Sequence, residues 1–207
     1  MKKIISLIAA TVLSVTAVIA EGNEHNLGLG ITFPISSLKI GDDVDESLSQ
    51  KGMGVDVTYL FIHDSGITAK ADCTLALVSS SVSGEDPDNG LNWTIDLGIG
   101  YTFLRNEKFS LSALGMIGYN YSEAGFGDSE SAKISFTMKT IDFGADVIGK
   151  YKFTNHLGAF ANLGFRYSID KGSSYEYSDY NNSLKFSDDA KTSGFRFVPT
   201  LGLNWTF

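Results

Sequence analysis

Cysteine occurs once, at Cys73, in a chain of 207 residues. An intrachain disulfide is therefore excluded. Alternation places Cys73 with Ala71 and Leu75 on an apolar face, where it serves as a small hydrophobe rather than a reactive thiol. It also lies too far from the N-terminal segment to carry a lipid anchor on a mature N-terminus. Histidine is scarce as well: His25, His63 and His156 lack metal-site spacing, and no serine or cysteine nucleophile can be assigned around them. An enzyme is not expected, nor is a cofactor or a metal. Basic residues are outnumbered, 16 Lys and Arg against 24 Asp and Glu, for a formal charge of −8. Phosphate-backbone binding needs the opposite balance, so nucleic acid is not an expected partner. Past the N-terminal segment no apolar run reaches the roughly 20 residues of a spanning helix. Any membrane crossing must then be made by strands.

What is present begins with an export signal. Met1-Lys2-Lys3 is a short basic start, Ile4 to Ile19 is apolar and small, and Val18-Ile19-Ala20 offers a cleavage site before Glu21. Residues 1–20 are read as a cleaved signal peptide and residues 21–207 as one domain. Cleavage removes Lys2 and Lys3 and no acid, which takes the formal charge from −8 to −10.

The rest of the chain alternates. Leu27, Leu29, Ile31 and Phe33 oppose Gly28, Gly30 and Thr32; Met53, Val55, Val57, Tyr59 and Phe61 oppose Gly54, Asp56 and Thr58. Such period-two patterning is a strand, because successive side chains point to opposite faces of a pleated backbone. Six further runs follow, around residues 67–77, 91–103, 109–121, 141–153, 157–169 and 193–207. The predicted fold is all-β, an eight-stranded antiparallel up-and-down transmembrane β-barrel. Three connections are short, at 63–66, 104–108 and 154–156, and four are long, at about 39–52, 79–90, 122–138 and 170–192. Short turns alternating with long loops is the outer-membrane pattern, with turns periplasmic and loops external. A soluble lipocalin-like barrel would instead turn its polar face to water, and such a surface usually carries many Lys and Glu. Here the polar faces hold Gly, Ser, Thr and Asn and no Glu, the small residues that fit a narrow interior. Aromatics gather toward strand ends, as Trp93, Tyr101, Phe109, Tyr121, Tyr151 and Trp205 do, which suits two interfacial girdles.

The chain ends on Leu201-Gly202-Leu203-Asn204-Trp205-Thr206-Phe207. With this ending and the architecture of residues 26–207, it resembles the small eight-stranded outer-membrane barrels of the OmpA and OmpX type, with OmpW-like relatives as second choice. The resemblance implies residence in the bacterial outer membrane and recognition by the barrel-assembly machinery through Leu203, Trp205 and Phe207. Because the sequence ends with the eighth strand, no peptidoglycan-binding domain of the full-length OmpA kind is expected to follow.

Charges on the polar faces are Asp56, Asp72, Asp96, Asp142 and Asp146 against Lys70, Lys150, Lys152, Arg166 and Arg196. An unpaired charge inside a dry barrel costs about 3–5 kcal/mol, so this balance suits a packed lumen. A hairpin folded about residue 155 brings Arg166 level with residue 144. Its planar fork of donors is then expected to bridge Asp142 and Asp146. The expected function is an integral outer-membrane protein with a charge-plugged lumen, acting in envelope structure or surface adhesion through its external loops. The alternative is a low-conductance porin, or a channel for a small hydrophobic solute.

Acidic residues crowd the long loops. Solvation explains them; divalent-cation binding is the sharper reading, and Gly84-Glu85-Asp86-Pro87-Asp88-Asn89-Gly90 lacks full EF-hand spacing. The last loop carries Tyr175, Tyr177 and Tyr180, with a plausible turn at Asn181-Asn182. These tyrosines are either anchors for an extracellular partner or a cover over the barrel mouth.

Overall fold

The computed structural model describes residues 23–40, 47–82, 88–129, 132–179 and 184–207. Eleven strands form one antiparallel sheet: β1 Glu24–Thr32, β2 Ile35–Ile40, β3 Ser47–Ile62, β4 Ile67–Val82, β5 Asp88–Arg105, β6 Phe109–Ser129, β7 Ala132–Lys152, β8 Leu157–Asp170, β9 Ser173–Asp179, β10 Leu184–Ala190 and β11 Thr192–Thr206. They make eight barrel staves, because β1 continues into β2, β8 into β9 and β10 into β11. The first interruption has a local cause. Pro34 has no N–H, so the ladder skips it, yet the register stays in step from Thr32↔Gly54 to Ile35↔Lys51. The sheet closes where β1 pairs with β11, from Asn26↔Thr206 to Thr32↔Thr200.

Burial is inverted relative to a soluble domain. Leu77 is 70% exposed and Phe195 69%, whereas Asp142 is fully buried. Outward-facing Leu29, Val55, Leu75, Leu97, Ile117, Phe143, Leu163 and Leu201 form an apolar band. Aromatic pairs bound it. At the turn end His156 stacks on Trp205 with centroids 5.5 Å apart, and at the loop end Trp93 stacks on Tyr121 at 5.7 Å. Two such girdles are what lipid interfaces select.

The strands run further than their alternation. β6 and β7 pair as far as Ser129↔Ala132, and β9 pairs with both β7 and β10. Most of the expected long connections are therefore a sheet that rises above the barrel. Its backbone ladder continues beyond the apolar band, where lipid no longer selects an outward apolar face. Gly172, at a φ of 114°, marks a second departure. The register passes from Asp170↔Thr140 to Ser174↔Thr137, so one extra residue is accommodated in a β-bulge. The bulge reverses parity, and Tyr175 and Tyr177 stand in register with Phe136 and Ile134. Phe136 belongs to the inner face of β7.

Across the lumen lies an apolar septum that plain alternation hides: Leu60, Ile62, Leu114, Met116, Ile148 and Phe160. A Cβ on Gly28 would stand 2.8 Å from the Phe160 ring, and one on Gly202 would stand 2.5 Å from it. These two glycines are small because the ring fills the space over them. Phe160→Ala is expected to lower unfolding stability by about 3–5 kcal/mol, the usual cost of emptying a phenyl site, measured by urea titration of the vesicle-inserted protein. A loss below about 1 kcal/mol would mean the septum is loosely packed.

Candidate functional site

The inner face places its charges in two separate tiers. In the middle of the barrel, Lys70 on β4 reaches Asp72 and Asp146, each at 2.5 Å. Arg166 on β8 donates to Asp146 on β7 at 2.5 Å and to Asp96 on β5 at 3.3 Å. Arg196 on β11 donates to Asp142. Among the described residues Asp56 contacts no cation; it accepts from Thr58 at 2.8 Å and from Thr74 at 2.7 Å. Thr58 also bonds Asp72. Toward the loop end an amide and hydroxyl chain continues this tier. Thr140 donates to Asp142 at 2.8 Å, Asn92 to Asn120 at 2.6 Å, and Gln50 to Ser80 at 2.9 Å.

The second tier sits at the turn end and centres on Glu24, the first residue of β1. Lys150 donates to it, Lys152 donates at 2.8 Å, and Arg105 stands 3.5 Å away. Lys150 also donates to Asn26 at 2.9 Å. Two expectations change here. Glu24 is a glutamate on the inner face, 5% exposed, where none was expected, because β1 begins two residues before the alternation becomes legible. Lys150 and Lys152 pair with Glu24 rather than with the aspartates, since the apolar septum stands between the tiers.

Arg166 stands in register with Gly144, but its second carboxylate is Asp96, not Asp142. The cause is Arg196, directly opposite Arg166 on the neighbouring strand. Like charges placed opposite repel, and the two guanidinium groups splay to different acids. Glu24, Arg105, Thr58 and the septum escaped sequence reasoning. The septum had a signal: at Tyr59-Leu60-Phe61-Ile62 and Ala113-Leu114-Gly115-Met116-Ile117, alternation collapses into apolar runs.

Outside the lumen, His63 Nδ1 lies 2.9 Å from the Ser65 hydroxyl. This is a local contact in an exposed turn, and Asp64 is not its partner there. Leu203, Trp205 and Phe207 face outward at the turn end, and Phe207 N donates to His25 O at 2.9 Å. Tyr180, the Asn181-Asn182 turn, residues 1–22 and residues 83–87 of the acidic loop lie outside the described residues. Among the described residues no group of three or more His, Cys, Asp or Glu is placed to hold a metal ion.

A closed stave ladder, an apolar outer band and a polar interior decide the class, and the family comparison agrees over residues 5–198, which match the outer membrane protein beta-barrel domain. The chain belongs to that family. It is a protein of the bacterial outer membrane. No curated protein matches it by sequence. Among solved structures it is similar to a major outer membrane protein from Thermus thermophilus, with a TM-score of 0.61 at 12% identity over 86% of this chain and 99% of that one. It also aligns with Ail, the attachment invasion locus protein of Yersinia pestis, at a TM-score of 0.49 and 14% identity over 89% of this chain and 99% of that one. Neisserial surface protein A gives 0.49 and 13% over 92% and 100%. At these identities the likeness is one of fold.

At the loop end the barrel is pinned by Asp170 beside the bulge. Partial burial works against its charge, but the Ser173 hydroxyl and the Gly172 and Ser173 amides, the amides both at 3.0 Å, with the Thr192 hydroxyl, hold its carboxyl below the usual carboxylate range. A depressed carboxylate stabilises the fold above its unfolded pKa and loses that contribution as pH falls through its folded one. Asp170→Asn is therefore expected to be less stable than the parent at pH 7, with the gap closing below about pH 4. Urea titration at both pH values checks this; an equal gap at both would remove the charge from the explanation. In the middle tier, Arg166→Met leaves Asp96 and Asp146 short of a buried cation and is expected to cost about 3–5 kcal/mol. The double variant Arg166→Met, Asp146→Asn should recover part of that loss in the same titration.

Proposed function

We propose that this outer-membrane barrel is closed to solutes and acts in surface contact or adhesion, through the sheet that β6, β7, β9 and β10 raise at its loop end. The supporting observation is the filled lumen: a buried ion-paired tier and an apolar septum lie in series on the one axial route. Eight staves give an interior just wide enough for side chains, and the side chains of both layers are buried, which supports a closed bore. With transport set aside, the loop-end sheet is the part that outer-membrane orientation turns outward. Beyond Ser122 the outer edge of β6, and along Leu184–Ala190 the outer edge of β10, pair with no further strand among the described residues. Such edges offer backbone donors and acceptors to an extracellular partner. In this reading Tyr175, Tyr177 and Tyr180 belong to the contact sheet. The apolar band meets outer-membrane lipid, Leu203, Trp205 and Phe207 serve recognition by the assembly machinery, and the protein is not an enzyme.

A low-conductance channel is the second reading. It is favoured by midplane polar atoms that lack a protein partner, namely Asp96 Oδ1, Arg166 Nε and Asn162 Oδ1, which a passing ion or water would satisfy.

Two measurements separate these readings. Folded protein in a planar bilayer is expected to show no discrete openings, and reproducible openings would move the function into the lumen. Replacing residues 173–190 by a short turn should leave a heat-modifiable barrel that no longer binds cells or surface partners of the parent. Unchanged binding by that variant would reject the contact sheet.

A further inference from the structure

The inner face as a whole is charge-balanced, but each tier is not. The middle tier sets five aspartates against Lys70, Arg166 and Arg196, while the turn-end tier sets Glu24 alone against Arg105, Lys150 and Lys152. The septum of Leu60, Ile62, Leu114, Met116, Ile148 and Phe160 lies between them. By formal charge, an excess of two at the basic turn end thus faces an excess of two at the acidic middle tier across a layer of apolar side chains. The excess at the turn end is open on its other side. The Arg105 side chain is 34% exposed and that of Lys152 25%, whereas Lys150 is 2% exposed.

Donor capacity points the same way. A guanidinium carries five N–H donors and each ammonium three, while a carboxylate offers about four lone-pair positions. Glu24 and Asn26 accept three bonds from the two lysines. Arg105 has no closer ionic partner than Glu24 at 3.5 Å, which is outside good hydrogen-bond length. Among the described residues no second carboxylate, including the C-terminal one, lies within ion-pair distance of these three cations.

We propose that the turn-end mouth of the barrel is an oxyanion site, in which Arg105 and Lys152 bind a phosphate or carboxylate group presented from the periplasm. Lys150 and Glu24 fix the positions of that pair from behind. The guanidinium fork matches either group bidentately, and the ammonium adds a point charge. This site is independent of the loop-end contact reading and faces the opposite compartment. The oxyanion can come from a free solute or from a carboxylate of the cell-wall polymer, and the two sources share the same recognition chemistry.

The test uses the mature chain refolded in nanodiscs, with folding checked by heat-modified migration on gels. Inorganic phosphate, acetate and chloride are titrated at constant ionic strength by calorimetry, and soluble peptidoglycan fragments are titrated in parallel. Saturable phosphate or acetate binding is expected, weakened at least about tenfold in the Arg105→Gln, Lys152→Gln double variant and retained in Lys152→Arg. Glu24→Gln gives a readout that a merely structural ion pair does not share. It removes the internal competitor, so phosphate should bind more tightly and should raise that variant's melting temperature more than the parent's. Tighter binding of the fragments than of acetate assigns the source to the cell wall, and equal binding assigns it to free solute. Chloride acting as well as phosphate, no saturable binding, or phosphate binding indifferent to Arg105 and Lys152 would each overturn the site.

Discussion

The pairing of β1 with β11 is the contact on which the rest of the molecule depends. In a bilayer no water satisfies a free backbone N–H or C=O, so a sheet that spans must have no edge. Closure with eight staves then fixes the bore. A bore that narrow admits side chains and little else, which is why inner positions alternate between glycine, hydroxyl residues and a few large groups. Phe160 lies over the neighbouring strands only because Gly202 on β11 and Gly28 and Gly30 on β1 leave room for its ring.

Electrostatics follow from the same closure. Charges drawn inside lose their water and find one another across the lumen as well as along a strand, as Lys70 does with Asp146 and with Asp72. Lys70 and Asp146 are remote in sequence yet meet at 2.5 Å. The arginines of β8 and β11, forced opposite each other, divide the acids between them. The resulting tiers, one acidic in balance and one basic, are stacked with an apolar layer between. That order gives the two mouths different chemistry. The loop end offers a projecting sheet with open backbone edges. The turn end offers cations with donors to spare.

Where the ladder leaves the membrane the rules change. Inside the bilayer, parity carries the lipid-facing pattern, and any slip turns an apolar face inward. Above it, a bulge is tolerated: Gly172 takes a conformation that side chains rarely adopt, and the Asp170 carboxylate fastens the insertion by accepting hydrogen bonds from two backbone amides. The bulge shifts the register by one residue, so that Tyr175 and Tyr177 pair with Phe136 and Ile134 of the neighbouring strand.

Much of this was legible from the residues alone, for a physical reason. Lipid and lumen impose opposite polarities on alternate positions, so runs such as Phe195 to Phe207 carry the strand, the faces and the class in their order. The register Gly144↔Arg166 follows from one short turn. What alternation could not carry was decided by tertiary structure. The extensions of β6 and β7 lie beyond the lipid-facing band, where no membrane imposes an outward apolar pattern. Glu24 lies before the first legible repeat, and Arg105 beside the bulge that puts both Phe103 and Leu104 outward. The septum leaves only a lapse of alternation in the sequence, because Leu60 or Ile148 inside the barrel looks no different from a leucine in lipid. Which cation meets which acid depends on reach across the bore, and that distance exists only after the sheet has closed.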